Sequence, residues 1–248
     1  MIKADCRDNL TKHDFEFIVD TLASDAKNKT ALEKLLADQD IRDDVLDQDV
    51  LFRKIVQKNR VTHISPYLYF YVLTRHCFTH SNLEDRNLAD YVASMLTAFC
   101  SAKRLQTISR KHDREYHYLV DILTDFAEAS TREAFLLRSH LGNYALFMTG
   151  VFPDFLYRKS TYGRKAPGID YYERMGRSSF DWASKHSLAA RYRLVDILAN
   201  LAQRFRQVRI ALNRLTDDYL NLDETPLSLD KVLRKIFYGQ KGRERNDS

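Results

Sequence analysis

The sequence predicts an all-α protein, a bundle of about eight to ten helices built along one long helix near residues 188–222. Three observations carry this. Glycine and proline number only 7 and 4 in 248 residues, and the first glycine is Gly142. Sheets need tight turns made from Gly, Pro and Asn-Gly pairs, so this scarcity favours helices joined by short polar turns. Apolar residues recur at steps of three and four along much of the chain. The longest such run is Leu194, Leu198, Leu201, Phe205, Val208, Leu212, Leu215 and Tyr219. At the helical rise it makes a packing seam about 38 Å long.

Taken in order, the first helix is expected to start at Thr11, with Asp14 three residues on as a capping-box acid. Phe15, Ile18, Val19 and Leu22 form its apolar stripe. A short helix over 30–37 follows, and the acidic-to-basic segment 38–57 holds one or two more. Ser65-Pro66 reads as an N-cap followed by proline at the first helical position. The helix after it is apolar around most of its circumference, as is the next, which begins near Asp85. The segment EYHYLVDILTDFAEA reads as helical, and Thr131 opens another helix. Ser228 caps a last short one that stops at Gly239, and 241–248 reads as a disordered tail. Residues 1–240 are expected to form a single domain, since the long seam needs partners from the first half.

Net charge is +5, distributed unevenly. Residues 1–50 carry 7 basic against 13 acidic residues, a local charge of −6 that leaves +11 for the rest. The N-terminus lacks the apolar run of a secretory signal. The longest uncharged stretch, 139–153, is shorter than the roughly 20 residues a membrane span needs. Three separated cysteines, Cys6, Cys77 and Cys100, fit reduced structural thiols and a cytoplasmic setting.

Five of the seven glycines and two of the four prolines fall between Gly142 and Gly176. Helicity is expected to give way there, between Gly150 and Asp170. Within it, 158–168 reads RKSTYGRKAPG, with four basic residues and no acidic one. Arg158, Arg164 and Lys165 can offer cationic groups to phosphate or carboxylate. Beside them lie Arg138, His140, Asn143 and Tyr144, and beyond the loop Tyr171, Tyr172 and Glu173. These residues can line a ligand pocket, or form a closed network in which Arg138 and Glu173 pair. Residues 138–176 are therefore the expected working surface. A small anionic ligand or a protein partner is expected there, and no cofactor.

His76 and His80 are spaced to project from one helix face and could supply two metal ligands. His112-Asp113, with one of these histidines upstream and Asp170, Asp181 or Asp196 downstream, is similar to the H…HD…D ligand set of the HD-domain phosphohydrolases. That resemblance implies a metal-dependent phosphohydrolase. In that family the dipeptide follows an apolar run, whereas here it follows Arg110 and Lys111, where Asp113 is more simply a first-turn acid.

G-x-S-x-G, G-x-G-x-x-G, the P-loop pattern and C-x-x-C are all absent. A nucleic-acid reading rests on Arg191, Arg193, Arg204, Arg206, Arg209 and Arg214, with Lys231, Arg234 and Lys235 after them. Alternatively these arginines cover the seam and pair with the acidic first 50 residues. The seam could also be completed by a second copy of the chain.

Overall fold

The computed structural model describes residues 2–57, 64–99, 129–162 and 167–220. Among them are eleven α-helices and no strand. A 3-10 turn at Arg7–Asn9 precedes α1 (Lys12–Leu22), α2 (Ala26–Leu35), α3 (Gln39–Leu46) and α4 (Asp49–Gln57). Then come α5 (Pro66–Thr79), α6 (Arg86–Phe99), α7 (Thr131–Val151), α8 (Pro153–Tyr162), α9 (Ile169–Ser184), α10 (Ser187–Arg191) and α11 (Val195–Leu215). A single π-helical turn, Thr216–Leu220, ends the described chain. No helix among the described residues is long and apolar enough to cross a membrane.

The predicted starts rest on side-chain caps. Thr11 and Asp14 form a reciprocal capping box at α1. Asp14 is fully buried, and its second oxygen accepts from the Ser65 amide at 2.6 Å, tying this start to that of α5. Ser65 caps α5 ahead of Pro66, and Ser130 forms a capping box with Glu133 at α7. Asp85 accepts from the Asn87 and Leu88 amides at the start of α6. Segment 38–57 divides into α3 and α4. Helix α2 begins a turn earlier than the expected 30–37, because Asp25 takes the Asn28 amide. The predicted helices in 100–128 and after 220 lie outside the described residues.

Two expectations are corrected. The long helix begins at Val195 rather than near 188, because α10 closes in a Schellman motif; its other end passes directly into the π-helical turn 216–220, and 221–222 lie outside the described residues. Arg193 takes φ 56°, its amide reaches the Ala190 carbonyl, and the Leu194 amide reaches Ala189. The helix is also kinked at Arg204, within the turn where Arg177 Nε donates to the Ala202 carbonyl. Secondly, helicity does not give way throughout 150–170. Pro153 fixes the backbone for a new first turn, and α8 occupies 153–162.

The core is one continuous apolar cluster from Ile2 to Leu220. Helices α7, α9 and α11 form its centre, and the α5–α6 pair packs against α11. Every seam residue from Leu194 to Leu215 is buried. The centre is drawn together at glycines. A methyl group on Gly176 would lie 2.4 Å from the Phe205 ring, and one on Gly142 would lie 2.7 Å from Phe180. Glycine here admits a facing ring rather than a flexible loop.

The acidic N-terminal segment clips α3 onto the bundle. Arg7 bonds Asp43 and Asp90, while Arg75 Nε meets Asp47 at 2.8 Å. Arg86 bridges Asp44 at 2.7 Å and Asp47 at 2.8 Å. These acids are used by Arg7, Arg75 and Arg86, not by the arginines of α11.

Candidate functional site

The predicted working surface divides into a closed inner half and an open outer half. Helices α7 and α9 run antiparallel, since Gly142 meets Phe180 while Gly176 meets Ala145 further along α7. This register puts Arg138 level with Trp182, and its guanidinium lies 5.9 Å from the indole ring. Glu173 is level with Met148, ten residues from Arg138 and about 15 Å further along the axis. The expected Arg138–Glu173 pair is therefore not formed. Glu173 instead reaches Arg209 of α11, with Oε2 3.6 Å from Nε, beyond hydrogen-bonding range.

Asn143, Tyr144 and Tyr172 sit in the core at 2%, 3% and 0% exposure, which closes them to any ligand in this conformation. The Tyr144 and Tyr172 rings are 6.3 Å apart. Burial pushes the Tyr91 phenol up, and the nearby Asn143 side chain partly offsets this. His140 is half-buried and stacks on Phe99 at 5.9 Å.

The outer half is α8 and the first turn of α9. Arg158 and Tyr171 are exposed, and Arg164 and Lys165 lie outside the described residues. Two residues that sequence reasoning missed dominate this face. Tyr157 is 64% exposed and Tyr162 85%. Only Leu156 of α8 is buried, so the helix rests on the bundle through one side. Reading 153–162 as a loop hid this. A helical period anchored on Pro153 would have placed Tyr157, Arg158 and Tyr162 opposite Leu156.

His76 and His80 share a face as predicted, with ring centroids 4.2 Å apart. His76 stacks on Phe52 at 3.4 Å, its Nδ1 lies 3.8 Å from Asp49, and His80 Nδ1 bonds the His76 carbonyl at 2.8 Å. Among the described residues no group of three or more His, Cys, Asp or Glu side chains could hold a metal ion. His112 and Asp113 lie outside them, and Asp170, Asp181 and Asp196 are exposed. Burial pushes the Cys6 and Cys77 thiols up to about 12, which disfavours the thiolate that a nucleophile needs at neutral pH.

Comparison with known protein families, curated proteins and solved structures finds no match. The chain's own residues carry the functional argument alone.

On the C-terminal half, Arg191, Arg193, Arg204, Arg206 and Arg214 are exposed. None of them forms an ion pair among the described residues. Arg206 and Arg214 share the outer face of α11 with Ile210, which is 40% exposed.

Proposed function

We propose that the protein is an interaction module that binds an acidic segment of a protein partner on α8 and the start of α9. One observation carries this reading. Of the eleven described tyrosines, the three that are exposed, Tyr157, Tyr162 and Tyr171, all fall within fifteen residues. Tyrosine offers a large rigid apolar ring with a polar end and is enriched at protein interfaces. Leaving three such rings in water loses their burial energy unless a partner covers them. The surrounding charge sets the partner's sign. Segment 153–177 has six basic residues (Arg158, Lys159, Arg164, Lys165, Arg174 and Arg177) against Asp154, Asp170 and Glu173. Glu173 is already directed to Arg209.

The test is fluorescence anisotropy with a labelled peptide rich in Glu and Asp that carries Leu and Phe. The native chain should bind it, and the Tyr157→Ser/Tyr162→Ser variant should bind roughly tenfold or more weakly, since anchors of this kind are worth 1 kcal/mol or more each. Arg158→Glu should weaken binding further, with helical circular dichroism unchanged throughout. Equal affinity for native and variant chains would remove the reading. Preferential, salt-dependent retention of an oligonucleotide would move it to nucleic acid.

A further inference from the structure

A cleft lies at the other end of the chain, independent of the α8 face. Helices α1, α2 and α3 flank this open cleft of about 390 Å³, within the range of small-molecule sites. Phe15 and Val19 of α1 supply its apolar wall together with Leu36, which follows α2. Val19 and Leu36 are each only 3% exposed. Helix α2 has no buried residue of its own, so it forms a thin outer wall. The charged groups at the cleft differ in their use. Lys12 and Glu16 of α1 lie 3.5 Å apart as an ion pair. Arg42 of α3 has no carboxylate partner among the described residues, and its Nε is buried without an acceptor.

Such an arrangement is costly unless it has a purpose. A buried guanidinium N–H without an acceptor forfeits its hydration and gains nothing in return. Arg7, Arg75 and Arg86 all have aspartate partners within residues 43–47, just after Arg42. Arg42 instead lines the cleft, beside the apolar wall of Phe15, Val19 and Leu36. We infer that this cleft binds a small amphiphilic monocarboxylate, its apolar body against Phe15, Val19 and Leu36 and its carboxylate on Arg42. The guanidinium fork matches a carboxylate in two parallel hydrogen bonds, which an alcohol cannot reproduce. Glu33 of α2, also at the cleft, disfavours a second acidic group on the ligand.

Octanoate and 1-octanol separate the contribution of the head group from that of the chain. Each is titrated into the full-length protein while backbone amide signals are followed by NMR. Octanoate should shift amides within residues 12–42 and bind roughly tenfold or more tightly than 1-octanol, the ratio expected of a charge-assisted pair. Arg42→Gln should bring the two affinities together. Ala37→Trp, at an exposed position lining the cleft, should abolish binding of both while leaving the helical spectrum intact. Equal affinity of octanoate and 1-octanol for the native chain would overturn the assignment. So would a preference that survives Arg42→Gln, binding that survives Ala37→Trp, or the absence of any shift in 12–42.

Discussion

Arg7 Nε donates to Asp90 Oδ2 at 2.9 Å, and both side chains are more than nine-tenths withdrawn from water. The other oxygen of Asp90 accepts from the Cys6 amide at 2.7 Å and the Arg7 amide at 3.3 Å. One carboxylate thus holds the N-terminal 3-10 turn against α6. Removing Asp90 leaves Arg7 with Asp43 as its one carboxylate and takes the acceptor from two backbone amides, a loss comparable to breaking a buried pair, about 3–5 kcal/mol. Asp90→Ala should fall in that range by urea unfolding. Asp90→Asn keeps an acceptor oxygen and should cost less. A loss no greater than that of the exposed Asp196→Ala control would contradict this role.

Gly176 is 2.4 Å, measured from an added methyl, from the fully buried Phe205 ring. Alanine is the better helix former by about 1 kcal/mol, so propensity alone favours Gly176→Ala. Overpacking a filled core costs about 1–3 kcal/mol, and the Phe205 ring is itself fully buried. The variant should therefore melt at a lower temperature. Adding Phe205→Leu should recover part of that loss, and failure to recover any would place the strain elsewhere.

Arg193 holds φ 56° at the end of α10. A side chain there costs about 1–2 kcal/mol that glycine avoids, less what glycine loses by its freedom in the unfolded chain. Arg193→Gly should raise the melting temperature by about 2–4 °C, the shift expected for 1 kcal/mol in a chain of this size. An unchanged or lower value would show that the Arg193 side chain contributes more than its backbone costs.

What could be read from the sequence follows a physical division. Thr11-Asp14, Ser65-Pro66 and Asp85 were legible because a cap is written within four residues. The seam from Leu194 to Leu215 was legible because an apolar residue recurs at seven successive seam positions. Arg193 was not, since nothing local marks an arginine forced into a left-handed turn. The partners of Glu173 and Arg138 were hidden as well. They depend on how α9 packs against α7 and α11, where Gly142 receives Phe180 and Gly176 receives Ala145 and Phe205. Composition in 150–170 reads as a loop because Gly and Pro both break helices in the interior, although proline also starts them. Pro153 is in fact a helix start, and the exposed Tyr157 and Tyr162 were missed with it.

His76 should make stability depend on pH. Its imidazole is held below the ordinary 6.5, chiefly by burial and then by the neighbouring His80, with Asp49 opposing. Phe52 stacks on one face and Tyr219 approaches edge-on. Because the folded value is depressed, the unfolded chain binds the proton first as pH falls. The contribution is fully present above about 6.5 and is lost as pH drops through the lower folded value. Melting temperature should therefore fall between pH 7.5 and 5.5. His76→Gln should flatten that slope. Asp49→Asn removes the one group that favours the protonated ring and should steepen it. Identical slopes in all three chains would assign the pH dependence to other groups.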